Sequence, residues 1–111
     1  MRRILVNPHR RSTEKRKYGQ NIESTIEYTV DFSLVATDRG TTVSSVVWSS
    51  EGYRQVTIAN EALSSGVATA DVSGSESYSG EGLVKVSATM ADGAIELQYI
   101  EINVRDPEYN V

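Results

Sequence analysis

The 111-residue chain has no cysteine, which excludes disulfide bridges, cysteine-based zinc sites and Cys/His catalysis. Its one histidine, His9, lies in a basic N-terminal stretch where it would not be held against a nucleophile, so we do not expect Ser/His/Asp catalysis. Its formal net charge is −4, and no apolar run approaches the ~20 residues that a membrane helix needs. We therefore expect one domain that is not an enzyme, holds no cofactor or metal, enters no membrane and carries no secretory signal.

Basic charge is concentrated at the N-terminus. Seven of the eleven Lys and Arg residues lie in residues 1–17 against one acidic residue, giving this stretch a net charge of +6 and residues 18–111 a net charge of −10. Asn7-Pro8 is a turn signal that interrupts the only apolar stretch there. The sequence thus predicts a basic extended arm over residues 1–20, disordered when alone, a β domain over 21–106 and a C-terminal tail over 107–111.

The arm has three interpretations: a solvated tail, a segment that binds nucleic-acid phosphates, or a segment that orders against an acidic neighbouring subunit. The acidic body favours the neighbouring subunit, because the body would be repelled by phosphates. Exposed ion pairs contribute only ~0–1 kcal/mol each, so apolar residues of the arm should also take part. The predicted partner-binding residues are Arg2, Arg3, Ile4, Leu5, Val6, Arg10, Arg11, Lys15, Arg16 and Lys17.

The first long strand is predicted after the arm. Apolar and polar residues alternate from Ile26 to Ala36, and only Val35 breaks the polar set. Such alternation is typical of a strand with one buried face. Asp38-Arg39-Gly40 then predicts a turn.

The next segments alternate in the same way. Residues 42–50 predict a strand whose Val46 and Trp48 share the core face, and residues 53–59 predict another. Leu63 is expected to plug the core from a loop. Ser64-Ser65-Gly66 predicts a turn, and the strand after it buries Ala68, Ala70 and Val72.

The last third of the domain predicts a hairpin. A Gly/Ser-rich loop over residues 73–82 precedes an alternating run over 84–90, and Asp92-Gly93 is a two-residue hairpin signal. In the final strand the apolar parity changes after Tyr99, which predicts a β-bulge near Tyr99-Ile100. The apolar residues on the two sides of this change are Ile95, Leu97 and Tyr99, then Ile100, Ile102 and Val104.

These elements predict an all-β protein, an immunoglobulin-like antiparallel β-sandwich with a basic N-terminal arm. No segment shows helical periodicity, and Trp48 on an early strand suits this fold. Tyr28 and Tyr99 fall on the predicted core face. Tyr53 and Tyr78 sit at turns, where they either contact a partner or pack against the turn.

The same residues resemble a known family, the Ig-like structural proteins of tailed bacteriophages, fibre–tail adaptor type. The resemblance covers about residues 22–106. Its motifs are the aromatic-x-x-Asp-aromatic start at Tyr28–Phe32, the acidic-Gly-Thr turn at residues 38–43, the core Trp48, the Gly-rich loop at Gly80-x-Gly82 and the final hairpin at Asp92-Gly93.

The resemblance implies a non-enzymatic virion protein, made in the bacterial cytoplasm and located in the tail region. Such a protein would form a homo-oligomer or ring and join tail, fibre or portal proteins, and the arm would clamp neighbouring subunits. Three alternatives remain open: a capsid decoration protein, a nucleic-acid-binding protein that works through the arm, and a bacterial surface adhesion module of the same fold.

Overall fold

The computed structural model describes residues 2–7, 15–21, 24–51, 56–74 and 80–105. These residues form eight strands and one helix. In chain order they are β1 (Arg2–Leu5), β2 (Lys15–Asn21), β3 (Thr25–Asp31), α1 (Ser33–Arg39), β4 (Val43–Glu51), β5 (Val56–Ser64), β6 (Val67–Gly74), β7 (Gly80–Met90) and β8 (Ile95–Arg105). No helix in the described ranges is long and apolar enough to cross a membrane.

The strands form two four-stranded sheets with the orders β1-β3-β6-β5 and β2-β8-β7-β4. Setting β1 and β2 aside, the orders β3-β6-β5 and β8-β7-β4 follow the strand orders B-E-D and G-F-C of an immunoglobulin constant-type domain, and β4 occupies the place of the strand that carries the buried tryptophan. Trp48 lies there and is buried. The predicted Ig-like β-sandwich is therefore confirmed. Its edge strands β1 and β2 pair in parallel with β3 and β8, while all other pairs are antiparallel.

The core lies between the two sheets and is built from alternate residues of each strand. The alternation predicted for β6 and β7 is confirmed, since their even-numbered apolar residues are buried. Small alanines on β6 and β7 leave room for the large side chains between the sheets. The buried apolar residues are Ile4, Val6, Tyr28, Val30, Phe32, Val35, Ala36, Trp48, Val56, Ala68, Ala70, Val72, Val84, Val86, Ala88, Met90, Ile100, Ile102 and Val104.

The basic N-terminal segment belongs to the sandwich. β1 pairs with β3 from Arg2↔Tyr28 to Leu5↔Asp31, and β2 pairs with β8 along its whole length. Ile4 and Val6 are buried in the core. The predicted arm is therefore wrong for residues 2–7 and 15–21, because their apolar side chains fit the inner faces of the two sheets. Residues 8–14, which include Arg10 and Arg11, lie outside the described residues.

The strand predicted to run to Ala36 is also wrong, because β3 ends at Asp31 and α1 follows. An Asp31 carboxylate oxygen accepts hydrogen bonds from both the backbone N–H and the hydroxyl of Ser33, which turns the chain. Phe32, Val35 and Ala36 are buried at helical spacing, whereas Leu34 is 42% exposed. The helix ends at Gly40 in the left-handed conformation.

No bulge lies near Tyr99-Ile100. The β7–β8 register runs without a shift from Gly80↔Val104 to Thr89↔Ile95. Ile100 faces the core, and Tyr99 lies on the opposite, outer face of the sheet. The change of apolar parity therefore reflects a strand with apolar residues on both faces. Tyr99 is corrected from a core residue to a surface residue, whereas Tyr28 is buried as predicted.

Register shifts occur instead in β4 and β5. One lies between Val43 and Ser45, and the other between Ala59 and Ala62. β5 is longer than predicted and includes Leu63, which is 38% exposed and does not plug the core. β7 likewise begins at Gly80, inside the predicted loop.

Two predicted turns are confirmed. Ser65 and Gly66 connect β5 to β6 with φ angles of 51° and 81°, as a type I′ hairpin requires. The β7–β8 hairpin has three loop residues rather than two, because Met90 N–H donates to the Ala94 carbonyl. Gly93 has φ 92° in this loop.

The two turn glycines provide a matched test of packing. A Cβ added at Gly66 would lie 3.2 Å from Ser33 Cα, whereas a Cβ at Gly93 meets no atom within 4 Å. Both substitutions to alanine carry the left-handed backbone cost of ~1–2 kcal/mol. We expect Gly66→Ala to cost about 1–3 kcal/mol more than Gly93→Ala, measured by urea unfolding, because only the former displaces α1. Equal losses would show that the turn does not pack against Ser33.

Candidate functional site

The predicted partner-binding residues lie on two edge strands, one in each sheet. Arg2 and Arg3 are on β1, and Arg16 and Lys17 are on β2. Ile4 and Val6 are buried in the chain's own core, so their main role is in the fold. Leu5 is 48% exposed. The side chain of Lys15, and all of Tyr53 and Tyr78, lie outside the described residues.

Arg2 joins the two sheets at this edge. Its Nη1 donates to the Tyr28 hydroxyl at 2.6 Å, and its Nη2 donates to the Gly19 carbonyl at 2.7 Å. The guanidinium carbon lies 5.0 Å from the centroid of the Tyr18 ring and 5.4 Å from that of Tyr28, within cation–π range. Arg2 therefore has a structural role, because it contacts residues of both sheets.

Tyr28 continues this network into the core. Its hydroxyl donates to Gln20 Oε1 at 3.0 Å, and Gln20 Nε2 donates to the carbonyls of Val72 and Ser24. Burial raises the pKa of the Tyr28 hydroxyl, and the Arg2 charge and hydrogen bond partly oppose this effect. The network thus links β1, β2, β3 and β6 with its buried polar groups satisfied.

A groove lies between β1 and β2 beside the Arg2 network. Its volume is about 240 Å³. Arg3 reaches Asp31 Oδ2 at 2.6 Å, and half of its side chain remains exposed. We call this the basic groove, lined by Arg3, Ile4, Leu5, Asn7, Arg16 and Tyr18.

The outer face of the β2-β8-β7-β4 sheet carries exposed apolar residues. Val47 on β4 is 61% exposed and Ile95 on β8 is 63% exposed. In the register, Val47 is opposite Ser87, which is opposite Leu97, so these residues form one row across the sheet. We call this surface the apolar face, consisting of Val47, Leu83, Ile95, Leu97 and Tyr99. The sequence did not predict this apolar surface, because the apolar residues on both faces of β8 were interpreted as a sign of a bulge.

Charges of both signs lie at one end of the apolar face. Lys17 Nζ is 3.7 Å from Glu101 Oε2, and Lys85 Nζ is 3.5 Å from Glu51 Oε1. These pairs are exposed and contribute little to stability. Because each pair joins opposite charges, the charge at this end of the face is locally balanced, although the whole chain has a net charge of −4.

On the side of the sandwich away from β1 and β2, side chains bond backbone N–H groups of the edge strands β4 and β5. Glu61 Oε1 accepts from the Trp48 backbone N–H at 3.3 Å, and Ser50 Oγ accepts from the Val56 N–H at 3.0 Å. Asn60 has φ 55°, lies within the register shift of β5 and donates to Asp71. The capped donors make this edge a poor place for another strand to pair.

Within the described part of the chain, no group of three or more His, Asp or Glu residues is placed to hold a metal ion. Another open cavity of about 370 Å³ lies beside α1 and is lined mainly by hydroxyl and small side chains. The lining residues are Ser33, Ala36, Thr37, Thr41, Thr42, Val43, Ser65 and Gly66.

Sequence comparisons identify no relative: no family model matches the chain, and no curated protein matches it. Solved structures do share its fold. The PKD domain of the KIAA 1837 protein is 17% identical, with a TM-score of 0.51, over 82% of this chain and 81% of that one. At this identity the likeness shows the Ig-like fold alone.

Two further structures are similar to the chain. A 2,6-sialyltransferase from Vibrionaceae Photobacterium sp. JT-ISH-224, solved with CMP and lactose, is 10% identical, with a TM-score of 0.55 over 86% of this chain. The match spans only 18% of the sialyltransferase. The cysteine protease inhibitor EhICP2 from Entamoeba histolytica is 7% identical, with a TM-score of 0.49, over 93% of this chain and 95% of that one.

The raised pKa of Tyr28 predicts a loss of stability in alkali. A phenol whose pKa is higher in the folded state stabilises the fold below its unfolded value of about 10, and this contribution disappears as the pH rises through the folded pKa. Melting temperatures measured from neutral pH upward should fall more steeply above pH ~10 for the wild type than for Tyr28→Phe. At neutral pH the variant should lose about 1–3 kcal/mol, because Gln20 loses its donor.

Tyr99→Phe is the matched control, because it removes a hydroxyl from the outer face of the sheet. Its alkaline profile should follow that of the wild type. If Tyr28→Phe also followed the wild type, the buried network would not exist as described.

Proposed function

We propose that this chain is a non-enzymatic structural protein that assembles with further copies of itself through the apolar face. The observation that carries the proposal is the exposure of Val47 and Ile95 on one sheet surface, beside Leu97 and Tyr99. A single copy exposes this apolar surface to water, and covering it with a second sheet lowers the free energy.

The charges at the end of the face support a second copy as the occupant. Copies of a chain with net charge −4 repel one another, so they meet best where the local charge is balanced. Lys17, Lys85, Glu51 and Glu101 supply that balance. In a two-fold arrangement the lysines of one copy can pair with the glutamates of the next. Two sheet faces of this kind pack about 10 Å apart.

The family resemblance supplies the setting of the proposal. We propose a tailed-phage virion protein that links tail, fibre or portal components, with its copies held in a ring or cluster. A capsid decoration protein would use the same surface for the same purpose. Nucleic-acid binding has less support, because Arg2 and Arg3 form hydrogen bonds within the fold.

Charged substitutions on the apolar face should prevent assembly. We expect the double variant Val47→Glu and Ile95→Glu to sediment as a monomer at concentrations where the wild type forms dimers or larger species, with a dissociation constant at least about tenfold higher. Both side chains are exposed, so the variant should keep its fold. Analytical ultracentrifugation measures the species directly.

The matched control is Leu34→Glu with Leu63→Glu. These leucines are also exposed but lie on α1 and β5, away from the apolar face. The control should assemble like the wild type. A monomeric wild type at about 100 µM, a concentration at which even weak homodimers form, would contradict the proposal. The virion setting is tested separately, by whether virion proteins co-purify with the tagged chain after nuclease treatment.

A further inference from the structure

We infer that the basic groove binds an extended acidic segment of a partner protein. The inference goes beyond self-assembly, because the groove lies at the sandwich edge between β1 and β2 and not on the apolar face. It rests on three features of the groove: uncompensated positive charge, exposed apolar surface and the edges of two strands.

The positive charge comes from two arginines with one nearby carboxylate. Arg3 is paired with Asp31, but its side chain stays 52% exposed. Arg16 forms no salt bridge with any side chain in the described ranges, and none of the six groove residues is acidic. The groove is therefore a basic site on a chain whose net charge is −4, and a carboxylate that enters it gains charge-assisted hydrogen bonds.

The register of β2 explains why Arg16 reaches the groove. Arg16 is opposite Ile100 and Tyr18 is opposite Ile102, and both isoleucines face the core. Arg16 and Tyr18 therefore point toward the gap between the sheets, where β1 lies. Lys17 is opposite Glu101 and points to the outer face. Adjacent residues of the same charge thus serve different surfaces.

The apolar and backbone features specify an extended polypeptide. Leu5 is 48% exposed beside the arginines, and Tyr18 adds an aromatic ring. β1 and β2 each stand first in the order of their sheet, so each has one edge without a strand partner in the described structure. An incoming strand can pair with such an edge while alternate side chains reach the pockets beside it.

Arg3 and Leu5 lie on the same face of β1, two residues apart, so these features define the ligand as an extended segment that carries acidic and apolar side chains in turn along one face. Its carboxylates would contact Arg3 and Arg16, and an apolar side chain would cover Leu5. A nucleic acid would satisfy the arginines alone and leave Leu5 in water. The free β4 edge offers no equivalent site, because Glu61 caps it and would repel an acidic strand.

The probe is a fluorescein-labelled nine-residue peptide, Glu-Ser-Leu-Ser-Glu-Ser-Leu-Ser-Glu, whose glutamates and leucines share one face of an extended strand, and binding is measured by fluorescence anisotropy with the full-length chain at low salt. We expect Arg16→Glu to weaken binding at least about tenfold, and Lys17→Glu, which makes the same charge change one residue away, to weaken it less than about threefold. Leu5→Ser should weaken binding about threefold or more, because the apolar contact is lost. Circular dichroism of each variant confirms that its fold is retained.

Three results would overturn the inference. One is the absence of binding by the wild type, and another is an equal effect of Arg16→Glu and Lys17→Glu, which would indicate attraction by overall charge. The third is tighter, Arg16-dependent binding of a labelled twelve-nucleotide oligo(dT), which would assign the groove to nucleic acid. Self-assembly measured by sedimentation is a separate readout, so failure here leaves the apolar face untouched.

Discussion

The rest of this structure depends on the hydrogen bonds that Arg2 makes to both sheets. The sandwich has no disulfide, and at one edge its two sheets are joined by a guanidinium that bonds Tyr28 in one sheet and Gly19 in the other. This contact holds β1 where Ile4 and Val6 enter the core, and burying two such side chains contributes ~3–6 kcal/mol. Because β1 and β2 are held next to each other, the basic groove forms between them. If neither strand paired with its sheet, the N-terminal basic residues would lie in a solvated tail.

The two edges of the sandwich are closed in different ways, and the difference decides which surfaces remain available. On the β4–β5 side, Glu61 and Ser50 accept backbone N–H groups and so cap that edge with acidic and hydroxyl groups. On the β1–β2 side, the closure is made by Arg2, and Arg16 is left without a salt bridge within the described residues. The outer face of the β2-β8-β7-β4 sheet carries exposed apolar residues. Self-assembly through the apolar face and partner binding at the basic groove, as we propose them, would suit a protein that holds copies of itself and a partner together.

Much of the sandwich could be predicted from local alternation, but the two proposed surfaces could not. Trp48 and the β6 and β7 runs have one clear buried parity, so period-two patterns identified them correctly. β8 carries apolar residues on both faces, and no local rule distinguishes a surface apolar row from a register slip. The positive charge of the N-terminus concealed the core roles of Ile4 and Val6, because their partners are distant in sequence. The helix α1 was missed because seven residues give too little periodicity, and the Asp31–Ser33 turn that starts it becomes clear only in three dimensions.

The basic N-terminal segment is part of the sandwich rather than a free arm. Amide hydrogen exchange, read residue by residue by NMR, tests it most directly. If β1 and β2 pair with β3 and β8 as described, the alternate amides of Arg2–Leu5 and Lys15–Asn21 that face those strands will be protected well above the unfolded chain. If these amides exchange at the rate of an unfolded chain while β7 and β8 stay protected, the segment is a free arm. The basic groove and the Arg2 network would then not exist in solution.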